Sequence, residues 1–215
     1  AGVTTANLTG LTANTTYYFW VRSNCGGSGT STWAGSGSFY TGYCISSGTG
    51  GTYFINSFTT SGGITNISNT NSGYSAGGYG NFTAQSCSQV ANSSISFIVT
   101  PNSDPSIQIF IDWNNDLDFE DANETVYSGG FLTSHSGTIT VPTGQSTGNY
   151  RMRIVHDWLN NPPLGGACGS QNPNYRETED YTFTVVAQPD PITITPSDSN
   201  TICNGNSVDL TASSS

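Results

Sequence analysis

The chain has 215 residues, four of them arginine, none lysine and 14 acidic, giving a formal net charge of −10. That balance speaks against nucleic acid and anionic membranes, which both need clustered cations. Charged residues are only 8%, against roughly 25% in an ordinary soluble domain, yet 12% aromatics and β-branched runs argue against disorder.

No apolar run approaches the ~20 residues of a membrane span, so membrane insertion is not expected. Ala1 to Thr5 lack the charged and apolar regions of a signal peptide, so the chain reads as a mature or internal piece of something longer. The expected class is all-β, with β-sandwich modules in tandem over residues 1–41, 42–188 and 189–215.

In the first segment, Tyr17, Phe19 and Val21 share one strand face, and Tyr18, Trp20 and Arg22 share the other. A Gly/Ser turn follows, then a strand from Trp33 to Phe39. Leu11, Ala13, Thr15 and Tyr17 resemble the Leu-x-Pro-x-Thr-x-Tyr corner of fibronectin type III domains, with Ala in place of Pro. The resemblance implies the second half of such a domain, with the Tyr17 hydroxyl bonded back to the upstream backbone.

Residues 42–188 carry alternating strand patterns: Ile95, Phe97 and Val99; Ile107, Ile109 and Ile111; Ile139 and Val141; Tyr150, Met152 and Ile154; Tyr181, Phe183 and Val185. Residues 57–85 are rich in Gly, Ser, Asn and Thr and predict long loops or irregular strands. No stretch has a helical apolar period.

Residues 109–124 are the chemically distinctive stretch. Asp112, Asn114, Asp116 and Asp118 fall at alternate positions, and Glu124 closes the run. A curled loop with this spacing points several oxygens at one centre, as calcium requires. The EF-hand glycine is replaced by Leu117, Glu124 comes one residue late and no helices flank it, so the expectation is a calcium loop on a β hairpin. A solvated acidic turn is the competing reading, since Asp and Asn favour turns.

Further motifs carry a family resemblance. They are Tyr43-Cys44, Tyr53 to Phe58, Ile111-Asp112-Trp113-Asn114, Asp116-Leu117-Asp118-Phe119, Gly137 to Pro142, Tyr150 to Val155, Ala167-Cys168-Gly169 and Arg176-Glu177-Thr178-Glu179-Asp180-Tyr181. Together they resemble the GEVED domain of secreted proteins from Bacteroidetes-type bacteria, with Arg176-Glu177-Thr178-Glu179-Asp180-Tyr181 in place of Gly-Glu-Val-Glu-Asp-Tyr. On a strand, Glu177 and Glu179 share a face and need positive compensation. One of them either completes the calcium shell, with Glu179 the site residue chosen, or pairs with Arg151 or Arg153.

Five cysteines without a Cys-x-x-Cys pair read as disulfides of an oxidising compartment. Cys25 and Cys44 flank the last strand of the first segment and are expected to pair, leaving Cys87 with Cys168 and Cys203 without a partner. His156-Asp157 is expected to be structural, with a hydrogen-bonded imidazole, and no catalytic motif is found, so the chain is not expected to be an enzyme. Trp158 and Leu159 open an apolar loop suited to contact: Trp158 either stacks on a sugar ring or a partner's aromatic, or caps the end of the sandwich. Gln188-Pro189-Asp190-Pro191 breaks the pattern, and the strands after it resemble the start of an immunoglobulin-like repeat.

These readings converge on a non-catalytic segment of a large extracellular cell-surface protein, an adhesin or filament component with a calcium-stabilised module as spacer or adhesive unit. The GEVED resemblance implies type IX export and a role in adhesion or gliding. Expected partners are neighbouring modules of the same chain, surface glycans or other cell-surface proteins. The alternative is an accessory or carbohydrate-binding module of a secreted multidomain enzyme.

Overall fold

Alternating apolar side chains form strands wherever a neighbouring layer can bury one face, and the central stretch does so repeatedly. The computed structural model describes residues 5–12, 15–44, 51–169, 175–190, 192–196 and 210–214. The strands are β1 (Thr16–Val21), β2 (Ala34–Tyr40), β3 (Ile55–Ser61), β4 (Ser68–Thr70), β5 (Tyr79–Val90), β6 (Ser94–Pro101), β7 (Ser106–Ile111), β8 (Thr125–Gly129), β9 (His135–Thr140), β10 (Gly148–Asp157), β11 (Arg176–Val186), β12 (Ile192–Pro196) and β13 (Leu210–Ser214). Among the described residues the helical elements are short 3-10 turns at Gly26–Ser28, Ala76–Gly78 and Gly166–Cys168. Among the described residues the chain is all-β as expected, and none of its helices is long and apolar enough to cross a membrane.

A five-stranded sheet, β5-β11-β10-β7-β8, packs on a four-stranded sheet, β4-β3-β6-β9. Ile55, Phe58, Phe97 and Val99 from one sheet meet Ile109, Met152, Ile154, Tyr181 and Phe183 from the other in one buried cluster. The Phe58 and Tyr181 rings lie 4.9 Å apart across the layers. Each such buried side chain stabilises by roughly 1.5–3 kcal/mol, so this double layer holds the fold together. β10 and β11 pair antiparallel from Gly148↔Val185 to Asp157↔Arg176. β5 joins β11 in parallel, with a register shift between Asp180 and Thr182. Residues 57–85 were expected as long loops or irregular strands; β5 is one strand of 12 residues running on to Val90, hidden because residues 79–90 are mostly polar and lack a clean alternation.

A thinner layer covers the other face of the five-stranded sheet. Phe110 and Val155 pack there against Phe119, Ala167 and half-buried Tyr43. This layer brings three distant pieces of chain together: the strap after β2, the acidic loop after β7 and the loop after β10.

The strap corrects the expected disulfides. Cys44 bonds Cys168, across 124 positions of sequence and with Cα atoms 5.5 Å apart, while Cys25 and Cys87 are free thiols. Cys25 is exposed; Cys87 points into the apolar core, where burial pushes its thiol up to about 12. Nearness in sequence misled the pairing, because Cys44 leaves the hairpin and lies against the loop after β10, beside the Ala167 carbonyl. Cys203 lies outside the described residues.

The flanking segments contribute two hairpins. β1 pairs β2, setting Tyr17 opposite Phe39, and the Tyr17 hydroxyl accepts a bond from the Thr12 amide at 2.7 Å, the corner expected there. Ala13 of the same motif is outside the described residues. Tyr18, Trp20 and Trp33 of this hairpin are exposed. β12 pairs β13 from Ile192↔Ser214 to Pro196↔Leu210.

Candidate functional site: the acidic loop

The loop between β7 and β8 is folded around one buried carboxylate. Asp112 follows the last residue of β7 and is fully buried. Its Oδ1 accepts from the amides of Asn115 (2.6 Å) and Asp116 (3.3 Å). Its Oδ2 accepts from the Leu117 amide (3.0 Å) and the Tyr43 hydroxyl (2.6 Å). Burial and the adjoining carboxylate hold the Tyr43 hydroxyl in its protonated, donating form, with its pKa pushed far up.

Glu124 closes the loop from the other end. One of its oxygens accepts from the Trp113 amide at 2.9 Å and the other from the Asp121 amide at 3.3 Å. Burial raises its carboxyl to about 7. The backbone turns back through Asn115 (φ 59°), Leu117 (φ 78°) and Asn123 (φ 74°), all left-handed. Leu117, at the glycine position of the EF-hand pattern, therefore makes the sharp turn at a steric cost of roughly 1–2 kcal/mol.

The alternate spacing has a local cause. Asn114 Oδ1 accepts from the Asp116 amide, Asp116 Oδ1 from the Asp118 amide and Asp118 Oδ1 from the Glu120 amide. Each is an Asx turn, with a side chain capping the amide two residues on. The turn reading accounts for the alternation, and these caps use one side-chain oxygen per residue.

At the surface, Asp116, Asp118 and Asp121 bring carboxylate oxygens within 4.8 Å of one another. Asn114 Nδ2 donates to Asp116 Oδ2 (3.0 Å) and Asp121 Oδ2 (2.6 Å). Of the expected ligands, Asp116 and Asp118 come together, and Asn114 bonds Asp116. Asp112 and Glu124 spend their oxygens on the protein's own donors. Asp121 joins the group without having been expected; its distance from the alternating run hid it. These oxygens are the hard donors that calcium takes.

Glu179 is not near this loop. It lies on the inner face of β11, its carboxyl 2.7 Å from the Tyr181 hydroxyl, which also receives the Asn69 amide. Burial raises it to about 8. Glu177, on the same face, accepts from the amides of Ile55 and Ser75 at 2.6 Å each, and burial raises it to about 7. The expected pairing of either glutamate with Arg151 or Arg153 is corrected as well. Those arginines sit on the outer face and converge on Asp180: Arg153 by a two-pronged bond at 2.7 and 2.8 Å, Arg151 at 2.9 Å. Arg153 is fully buried, donates to the Cys44 and Ala167 carbonyls, and lies 4.9 Å from the Phe119 ring. It thereby links β11, the strap and the acidic loop.

His156 and Asp157 point to opposite faces of β10 and form no couple. Asp157 caps the amides of Leu159, Asn160 and Leu164. His156 is buried in the sandwich and neither ring nitrogen has a hydrogen-bond partner, contrary to the expected bonded imidazole. Burial lowers it to about 4, so it is neutral near pH 7. Trp158 stacks on Tyr53 at 4.6 Å, lies 5.8 Å from Tyr175 and donates to Asp104, while neighbouring Leu159 is exposed.

Residues 106–184, from the start of β7 into β11, match the family model of the GEVED domain. No curated protein matches the chain.

Proposed function

We propose that the chain is a non-catalytic segment of a secreted cell-surface protein, with its central β module serving as a calcium-stiffened spacer or adhesive unit. The observation that carries this reading is the convergence of Asp116, Asp118 and Asp121 on a loop already shaped by Asp112 and Glu124. Three carboxylates held this close repel one another, and a divalent cation would relieve that repulsion while tying the loop's two arms together. Further support comes from the disulfide, which fits an oxidising compartment, and from the net charge of −10, which suits a setting rich in divalent cations rather than nucleic acid.

Calorimetric titration with calcium tests the reading. One site is expected in the wild type and none in the Asp116→Asn/Asp121→Asn double variant. An absence of heat in a folded wild-type protein would remove the calcium from the proposal.

A further inference from the structure

The first hairpin has two unlike faces. On one, the Tyr17 and Phe39 rings stack at 5.6 Å and Phe19 lies 6.4 Å from Phe39. The other carries Tyr18, Trp20 and Arg22, the alternate residues of the same strand. Tyr18 stands opposite Ser38. Across the register shift between Phe19 and Val21, Trp20 alone stands against Gly35 and Ser36. The small residues of β2 thus leave room beside the large rings of β1. Tyr18, Phe19, Trp20 and Trp33 line a groove of about 610 Å³ there, within the roughly 300–1,000 Å³ of small-molecule sites. Its rings are open to a ligand: Tyr18 is 64% exposed, Trp20 56% and Trp33 59%. Exposed aromatic rings gathered in one place mark a contact surface.

The groove also has a cation. The Arg22 guanidinium lies 4.6 Å from the centroid of the Trp33 ring, which holds it in place. The other three arginines are spent inside the central module: Arg153 and Arg176 are buried, and Arg151 bonds Asp180. Arg22 is exposed and has no ion-pair partner among the described residues. In a chain of net charge −10, it is the guanidinium left for an anion from outside.

We propose that this groove binds a saccharide that carries a carboxylate, such as a hexuronic or sialic acid residue. The Trp20 ring takes the C–H face of the sugar, the Tyr18 and Ser38 hydroxyls take its hydroxyl groups, and Arg22 takes the carboxylate in a two-pronged bond. Charge decides among the occupants. A second copy of the chain brings its own net charge of −10 and is repelled. Nucleic acid and heavily sulfated polymers need clustered cations, whereas one guanidinium serves one carboxylate. A neutral sugar would leave Arg22 unused.

The test is a printed array of uronic-acid and sialic-acid glycans, each beside its carboxyl-reduced counterpart, probed with the wild type and with Arg22→Gln and Trp20→Ala. The wild type is expected to bind a subset of the carboxylated glycans at least ~10-fold more tightly than their reduced forms, a difference of about 1.4 kcal/mol. Arg22→Gln should bind the acid and reduced forms alike, and Trp20→Ala should weaken binding to both. Arg22 and Trp20 are exposed, so the melting temperature of each variant should match that of the wild type. If Trp20→Ala loosens the hairpin, Arg22→Gln still supplies the readout. The proposal is overturned if the wild type binds no carboxylated glycan, if it binds the reduced forms equally well, or if Arg22→Gln keeps the preference for the acid.

Discussion

The Tyr43 hydroxyl donates to Asp112 Oδ2 at 2.6 Å, joining residues 69 positions apart. Tyr43 belongs to the strap between the first hairpin and the sandwich, and Asp112 is the carboxylate around which the acidic loop folds. The next strap residue, Cys44, is disulfide-bonded to Cys168. Strap and loop are therefore one structural unit, and loosening either should loosen the other.

Tyr43→Phe keeps the ring against Phe119 and Arg151 but deletes the hydroxyl. It should cost about 1.5–3 kcal/mol, as for a hydrogen bond to a charged group. Urea denaturation measures the loss. Hydrogen exchange should place the added opening at the amides of Asn115, Asp116 and Leu117.

Asp180→Asn leaves fully buried Arg153 without its carboxylate. Removing one partner of a buried ion pair typically costs about 3–5 kcal/mol, so this variant should be among the least stable single substitutions in the sandwich. Glu177→Gln, on the opposite face of the same strand, should cost less, because its carboxyl is raised to about 7 by burial and has no cation partner to lose. A denaturation series comparing the two checks the order.

Breaking the Cys44–Cys168 bond should cost about 5 kcal/mol in the chain-entropy account of so long a loop. In the oxidised native protein, iodoacetamide should label exposed Cys25 quickly and buried Cys87 only after unfolding. Peptide mass mapping distinguishes the two thiols.

Stability should pass through a maximum in mildly acidic solution. Glu177 and Glu179 have folded values raised from 4.5 to about 7 and about 8. Their contribution is full below the unfolded value and is lost as pH rises through the folded ones. His156 is lowered from 6.5 to about 4, so its contribution is present above 6.5 and is lost as pH falls through 4. Melting temperature against pH should show both limbs. Glu179→Gln, which mimics the neutral acid, should flatten only the alkaline limb.

The strand patterns of β6, β7, β9, β10 and β11 were legible because apolar residues recur at every second position and both sheets bury that face. β5 was not, since its place is fixed by parallel pairing to β11 rather than by its own apolar pattern. The alternation of Glu177 and Glu179 against Asp180 was also legible, but the face carrying the arginines depends on register: Arg153 stands opposite Asp180 in the β10–β11 ladder. At the acidic loop the carboxylates could be read, while their division of labour could not. Asp112 is an internal cap because three amides and Tyr43 converge on it, and Asp121 joins the surface group because the chain curls back at Asn115, Leu117 and Asn123.

The calcium reading is tested most directly by thermal melts in calcium and in chelator, for the wild type and for Asp121→Ala. With calcium at about 100 times its dissociation constant, linkage gives about 2.7 kcal/mol, or roughly 5–10 °C in melting temperature for a module of this size. The account predicts that shift in the wild type and its loss in Asp121→Ala. Equal melting temperatures with and without calcium in the wild type would contradict it, and would leave the loop as a set of Asx turns around Asp112.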